Sequence, residues 1–532
     1  MSALARRTPA WTITALASLV YLIAELPSPD LAAASYRSDL FSHVGFTVWD
    51  NSWYGGHHLP AYSLLAPAFG WLIGPRLLTA ISMTVAAALF APLVAGRFGA
   101  RATRIATVWF AIGASIGLLS SRVPFDLGLA LGLAALVLVQ RARFAAALAL
   151  TLLCSAASPV AGAFLGLAFI AWALAGAERG RARRAPALLG VAALVPIAVL
   201  SVVFPEGGTQ PFVASAFYPA LIGVIAVGLA IPPQQRVLRA GTVLYVLALV
   251  GSYVIATAVG GNVDRLGALV AGPVAALVLA VGPVSGWRMR ALFVAVPLLL
   301  YWQANAPVAD FASAIEDPAV NASYYRPLLA ELDKLDVGYG RRPARIEVVA
   351  TADHWEARFV APAIPIARGW ERQLDRYRNG LFYSGPSAPT AASYASWLHA
   401  QAISYVALSD APLDYSAKTE ARILDDPGAG LHEIWRSRHW RLFRVLHPTP
   451  LTPRPALVTA LGTDSFTLQA PAPGTYTVLT HFTPYWKVTA GDGCVARAPG
   501  DWTRVRARRA GELKIEIGFS LARIFGRGPR CA

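Results

Sequence analysis

Charge is scarce in this chain, and that scarcity is the first constraint on what it is. Only 14% of the 532 residues are Asp, Glu, Lys or Arg, while 56% are hydrophobic. Soluble domains average about 25% charged and about 45–50% apolar residues, so a wholly water-soluble protein is excluded. Cysteine is scarcer still, at three residues. Cys494 and Cys531 lack metal-ligand spacing, and Cys154 falls in an apolar run where a packing role is expected. There is no Walker sequence, no dinucleotide fingerprint, no HExxH and no GxSxG with an accompanying base, so ATP-driven transport and zinc proteolysis are unsupported. Net charge is +16, but no basic stripe with interleaved aromatics appears, which argues against a nucleic-acid partner. No internal repeat relates the halves of the apolar region, which counts against the inverted-repeat transporters.

What the sequence does have is a series of apolar runs up to about residue 301, each long enough to cross about 30 Å of hydrocarbon as a helix. Eleven helices are predicted, at about 9–27, 76–96, 105–120, 124–140, 144–157, 160–177, 185–204, 212–232, 240–259, 266–286 and 289–305. The Ser158-Pro159 pair is either a break between two helices or a kink in one. After Pro307, charges, prolines and short alternating segments replace the long runs. The expected organisation is a multi-spanning membrane domain (1–305), an extracytoplasmic α/β domain (306–450) and an extracytoplasmic β-sandwich (451–532). In the first of the outer domains, "ARIEVVA" (344–350) and "ISYVAL" (403–408) read as strands alternating with helical "YASWLHAQ" (394–401). In the second, runs such as "SFTLQA" and "GTYTVLTHF" read as short antiparallel strands.

Orientation follows from the arginines. Residues 1–305 hold 19 Arg and Lys against eight Asp and Glu. Arg6/Arg7, Arg97/Arg101/Arg104, Arg141/Arg143, Arg179/Arg181/Arg183/Arg184, Arg236/Arg239 and Arg288/Arg290 all fall on one side of the eleven-helix arrangement. Positive loops stay cytoplasmic, so the N-terminus is expected inside and the C-terminal region outside a plasma membrane. The first run, ending in "AELPSPDLAAAS", is read as a retained anchor rather than a secretory signal. "PAYSLLAPAFGWLIG" (60–74) must then not span, because crossing would invert every later loop. Of the eight acids, Glu25, Asp30, Asp39, Asp50, Asp126, Glu206 and Asp264 fall outside and only Glu178 inside, as expected for a polar cavity opening outward. Because positions 494 and 531 fall in an oxidising compartment, a disulfide between these two cysteines is expected.

The stretch "DLFSHVGFTVWDNSWYGGHHLPAYS" (39–63) concentrates polar and aromatic residues in the first outer loop. Its carboxylates, Asp39 and Asp50, are candidate general bases, and the outward arginines Arg122 and Arg265 are candidate phosphate binders. His57 and His58 suit phosphate contact or, with Asp39, a divalent metal ion. Trp53 and Tyr54 are either interface anchors or platforms for a sugar face. In the tail, "ARGWERQLDRYRNG" (367–380) reads as a salt-bridged helix or as a lid in which Trp370, Arg372 and Asp375 contact a sugar.

A single span, a long outer loop with an acid and "P-x-Y" (60–62), then an "RLL" helix (76–78) ending in "AGRFGAR" (95–101), resembles the GT-C membrane glycosyltransferases over residues 1–180. The resemblance implies transfer of a sugar from a polyprenyl-phosphate carrier to an extracytoplasmic lipid, glycan or protein acceptor. It implies a catalytic aspartate in the first outer loop, with Asp39 in "RSDLF" the nearest match and Asp50 in "WDNSWYGG" second, and inversion at the anomeric carbon. A flippase for lipid-linked glycans and a non-catalytic envelope assembly protein are the competing readings.

Overall fold

A computed structural model describes residues 9–175, 181–279, 286–385, 388–524 and 531. Arg6, Arg7, Glu178 and Arg179 lie outside the described residues, as do the side chains of Arg181, Arg183 and Arg288. Two compact units form. The helical unit comprises Met1–Ser42 and Ala61–Ile315, and the second unit His43–Pro60 and Glu316–Ala532.

The helical unit contains α1 (Trp11–Ile23), α2 (Pro29–Val44), α3 (Ala66–Ile73), α4 (Pro75–Val94), α5 (Ala100–Gly117), α6 (Val123–Gln140), α7 (Phe144–Ala157), α8 (Pro159–Ala175), α9 (Arg181–Val203), α10 (Ala214–Ala230), α11 (Arg236–Val254), α12 (Asp264–Leu279) and α13 (Gly286–Ile315). Five stretches within it, Pro75–Val94, Val123–Gln140, Arg184–Val203, Arg236–Val254 and Gly260–Leu279, are long and apolar enough to cross a membrane, and four shorter helices are also apolar. Leu188, Val202, Leu247 and Val254 stand well exposed, as side chains facing lipid would. Inward faces are small. Ala80, Ala86, Ala87, Ala102, Ala106 and Ala114 are buried in one cluster, letting backbones approach closely where burial in lipid provides no hydrophobic drive.

Ser158 resolves the ambiguous break. Its backbone is extended, its hydroxyl accepts the Ala161 amide at 3.3 Å, and Pro159 opens α8, where a missing N–H costs nothing. Residues 66–73 form only the eight-residue α3, about 12 Å long and too short to span. It lies on α2 at Gly70, where a Cβ would stand 2.2 Å from Ser38 Oγ. One boundary differs from expectation. α13 carries Pro307 inside it and continues to Ile315, because a proline removes one helical hydrogen bond without always ending the helix.

The second unit opens with a two-stranded hairpin, β1 (Trp49–Asp50) and β2 (His57–His58). A mixed sheet follows, from β3 (Arg345–Val348), β4 (Ile403–Ser409), β5 (Leu431–Arg436) and β6 (Trp440–Val445), in the order β3-β4-β6-β5 with β3 and β4 parallel. The last strands are β7 (Leu457–Leu461), β8 (Ser465–Ala470), β9 (Gly474–His481), β10 (Trp486–Ala490), β11 (Gly493–Arg497), β12 (Trp502–Ala507) and β13 (Gly511–Ile517). They form sheets β10-β13-β8-β7 and β11-β12-β9. Phe466, Leu468, Val478, Val505, Leu513 and Ile515 from both sheets share one core, the inward half of the period-two alternation. Cys494 and Cys531 are joined by a disulfide.

Candidate functional site

The first-loop residues divide between the two units. From His43 to Pro60 the chain belongs to the second unit, where it ties the mixed sheet to the sandwich. On the sandwich side, the Asn51 amide donates to Thr463 O at 2.6 Å, the His481 amide donates to Gly55 O at 2.7 Å, and Trp49 meets Trp486 edge-on. On the mixed-sheet side, Trp53 Nε1 donates to Ala357 O at 3.2 Å and Tyr54 OH to Glu371 O at 3.0 Å. Asp50 accepts the Ser52 amide at 2.8 Å. The His57 ring stacks on Trp53 and its Nδ1 donates to Asp50 O at 3.1 Å. His58 Nε2 bonds the Thr483 hydroxyl at 3.0 Å. All five sequence candidates here, Asp50, Trp53, Tyr54, His57 and His58, are buried, and the contacts above lie within this unit. Among the described residues, no three or more His, Cys, Asp or Glu side chains gather as a metal site would require.

The Gly-Gly pair has the same origin. Gly55 and Gly56 adopt φ of +74° and +118°, and a Cβ on Gly56 would stand 2.3 Å from the Trp49 ring. The turn brings the backbone against a buried indole, a position that glycine alone fills without strain.

Arg372 and Trp370 also lie in this unit. Arg372 donates to both oxygens of Asp414, at 2.8 and 2.6 Å, and lies over the Tyr415 ring. Beside it, buried Arg368 pairs with Asp375 at 2.7 Å and Glu420 at 3.3 Å. His354 and Arg372 hold the Asp414 carboxyl far below the usual range against the opposing effect of burial. The "ARGWERQLDRYRNG" segment is thus a packed ionic network in which Arg372 and Asp375 already have protein partners; Trp370 is half-buried beside it.

The helical unit holds the other candidates. Arg122, Asp126, Asp264 and Arg265 line one cavity of about 260 Å³ together with Gln210, Asn262, Trp302 and Gln303. The sequence places these charges at helix starts. Arg122 precedes the first turn of α6, Asp126 ends that turn, and Asp264 and Arg265 open α12. Thr79 on α4 donates to Asp126 at 3.1 Å. The Tyr245 hydroxyl accepts the Gly267 amide and donates to Val263 O, both at 2.9 Å, pinning the entry to α12. Arg122 reaches Asp310 on α13 at 3.6 Å, and Ser120 donates to the same carboxylate at 2.6 Å.

Asp30, in the first turn of α2, completes the arrangement. Burial pushes its carboxyl up to about 6, against the pull of Arg122 and Arg265 in the opposite direction. Burial works against the Arg122 charge, yet Asp30, Asp310, Asp264 and Asp126 hold it above its ordinary value. Asp39 is placed differently. It follows Asp30 by nine residues on one helix, which at about 100° per residue puts the two on opposite faces. The structure brings Arg122 and Arg265 to one cavity, with Asp30 and Asp310 interacting with them. Asp30 counts among the outer acids in the sequence, and its place in a first helical turn after "PSP" was its available signal. Asp310 had a signal in the spacing of Gln303, Pro307 and Asp310, one face of a helix, masked by treating Pro307 as a stop.

The sequence matches no protein-family model and no curated protein. Among solved structures, the chain is similar to an arabinofuranosyltransferase, AftD from Mycobacteria, in two classes of one cryo-EM study. In one class the identity is 17% and the TM-score 0.49, over 83% of this chain and 42% of that one. In the other these are 17% and 0.41, over 96% and 41%. It is also similar to the oligosaccharyltransferase AglB from Archaeoglobus fulgidus, solved with an inhibitory peptide and a dolichol-phosphate, at 13% identity and a TM-score of 0.36, over 75% of this chain and 69% of that one. The chain thus spans about two fifths of the AftD length.

Proposed function

We propose that this protein is a membrane glycosyltransferase of GT-C type. In this reading it moves a sugar from a polyprenyl-phosphate donor to an extracytoplasmic lipid, glycan or protein acceptor. The observation that carries it is the presence of two arginines, Arg122 and Arg265, on one cavity of the helical unit, with the Asp30 carboxylate, on the first helix after α1, in electrostatic reach of both. Such a transfer needs both. Asp30 takes the proton of the acceptor hydroxyl as that oxygen bonds to the anomeric carbon, and the bond from that carbon to the phosphate oxygen breaks. The departing lipid phosphate keeps the electron pair, and Arg122 and Arg265 stabilise it, guanidinium being the cation best shaped for phosphate. One base and one displacement invert the anomeric centre.

Asp310 and Ser120 hold Arg122 in place. The order of features along residues 1–180 supports the family assignment, and the Cys494–Cys531 disulfide supports an extracytoplasmic second unit, since disulfides persist in oxidising compartments. The Arg6–Arg290 loop pattern supports a cytoplasmic N-terminus in a plasma membrane.

The test is sugar transfer by the full chain in nanodiscs, from short-chain polyprenyl-phosphate pentose and hexose donors. Asp30→Asn should lower kcat by about 10²–10⁴-fold, the usual contribution of general-base catalysis. Asp39→Asn and Asp50→Asn should stay near wild type. Full activity in Asp30→Asn together with loss in Asp39→Asn would move the base to the other face of α2 and sink this assignment. Transport of a lipid-linked glycan without transfer would instead favour a flippase.

A further inference from the structure

The end of the cavity away from Arg122 holds a hydrogen-bond donor with no protein acceptor among the described residues. Gln303 precedes Asp310 by two turns of α13, about 10 Å along the helix. It lines the cavity and is 5% exposed. Trp109 on α5 donates its indole N–H to Gln303 Oε1 at 3.0 Å. An indole nitrogen can only donate, so the amide oxygen must face Trp109 and the amide nitrogen must point away from it. That nitrogen is buried and has no hydrogen-bond partner among the described residues. A buried amide donor is costly to leave unpaired, so its orientation, imposed by a neighbouring tryptophan, calls for a ligand acceptor.

The surroundings are built to hold this amide. A Cβ at Gly113 would stand 2.0 Å from Gln303 Nε2, one at Gly272 2.3 Å from the Trp109 indole nitrogen, and one at Gly267 2.1 Å from the Trp302 ring. None of the three has the positive φ that would demand glycine for the backbone's sake. Space is the reason. The wall here is uncharged and partly aromatic, with Gly113, Gly117, Trp302 and Gln303, whereas the arginines and aspartates are on α6, on α12 and before them. Uncharged donors, the Gln303 amide and the neighbouring Trp302 indole N–H, suit hydroxyls on a sugar ring; a phosphate would call for the arginines.

We infer that Gln303 reads the donor sugar, its amide nitrogen donating to one ring hydroxyl of an uncharged monosaccharide held beside Trp302, while the lipid phosphate is left to Arg122 and Arg265. This rests on the glycosyltransferase reading for the identity of the ligand as a lipid-phosphate sugar. Binding tests it apart from catalysis. Affinities of farnesyl phosphate, of its pentosyl and hexosyl derivatives, and of their monodeoxy analogues are measured on the full chain in nanodiscs.

Gln303→Met, of similar length but with no donor, should weaken the sugar-bearing probes roughly 10-fold and leave bare farnesyl phosphate unchanged, which also reports correct folding. One monodeoxy probe should bind wild type and Gln303→Met equally. Trp109→Phe, which frees the amide to turn, should give a smaller loss confined to the same probes. Arg122→Gln should weaken every probe. Equal weakening of farnesyl phosphate and the sugar probes by Gln303→Met, no weakening of either, or no binding of sugar probes by wild type would each overturn the inference. Sugar-selective binding without any transfer would overturn the catalytic reading and leave this one standing.

Discussion

Replacing Gly56 with alanine forces two separate costs on the second unit. The first is conformational: φ of +118° lies where L side chains rarely go, and holding a residue there costs about 1–3 kcal/mol. The second is steric. The new Cβ would stand 2.3 Å from Trp49 Cζ2, and Trp49 has little room to yield. Its indole donates to Asn51 at 2.8 Å, it meets His58 and Trp486 edge-on, and it is 1% exposed. Overpacking of this kind costs about 1–3 kcal/mol, so together the loss is about 4 kcal/mol, a large part of the 5–15 kcal/mol that holds a typical domain.

Two neighbouring glycines calibrate the number. Gly55 has φ of +74° and would place its Cβ 3.0 Å from the Arg345 guanidinium, while Gly45 has φ of +69° and meets no heavy atom within 4 Å. Gly45→Ala carries only the left-handed penalty of about 1 kcal/mol. The expected order of destabilisation is Gly56→Ala, then Gly55→Ala, then Gly45→Ala. Thermal unfolding of the full chain in nanodiscs, followed by tryptophan fluorescence, should show the Gly56→Ala transition of this unit lowered by about 10 °C, at about 2–4 °C per kcal/mol. A Gly56→Ala midpoint equal to that of Gly45→Ala would refute the account of the hairpin as a rigid clasp.

The base assignment predicts a pH profile. Asp30 must be ionised to act, and burial raises its carboxyl to about 6, so kcat/KM should rise with pH to a plateau above about 7 and the rise should vanish in Asp30→Asn. Stability of the second unit should fall as pH rises, in two steps. Burial raises Glu420 from 4.5 to about 7, so the folded form holds a proton that the unfolded form has lost, and stability drops across that window. His354 is raised from 6.5 to about 9 because Asp414 and Glu356 outweigh its burial; its contribution is complete below 6.5 and lost as pH passes through about 9. Glu420→Gln should flatten the lower step in a melting series and His354→Gln the upper, and a pH-independent midpoint would contradict both. The Cys494–Cys531 disulfide closes a loop of 37 residues, worth about 4 kcal/mol by loop-closure entropy, so Cys494→Ser should lower the melting transition of this unit and leave the helical unit's unchanged.

Legibility tracks the range of the interactions that fix each element. The helix expected at 124–140 is Val123–Gln140, and that at 76–96 is Pro75–Val94, because apolar length and helix-start prolines are local signals. The strand runs "ISYVAL" and "SFTLQA" appear as β4 and β8 for the same reason. The first loop was opaque because its partners are remote. His58 bonds a residue 425 positions away and Asn51 one 411 away, and no periodicity within 39–63 encodes either. Arg122 and Arg265, singled out by charge and position, both line the cavity of the helical unit. Asp30 needed the knowledge that "PDLAAASYRSDLF" is helical, which its weakly patterned small residues do not announce.

That helix changes what the first loop means. Read as a loop, it offers Asp39 and, second to it, Asp50 as bases, and its histidines as phosphate contacts or metal ligands. Read as α2 followed by a clasp, its residues have separate duties. The first turn of α2 supplies a half-buried carboxylate that interacts with the two cavity arginines, while Trp49 to His58 make hydrogen bonds and ring contacts within the second unit. A cluster of His, Asp, Trp and Gly is often taken to mark chemistry, but here these side chains make contacts that hold the second unit together. The proposed chemistry rests instead on the donor of Gln303 and the carboxylate of Asp30, and both belong to the helical unit, where the two arginines are. Loss of the clasp should therefore unfold the second unit while the cavity's affinity for farnesyl phosphate persists, whereas loss of Arg122 should do the reverse.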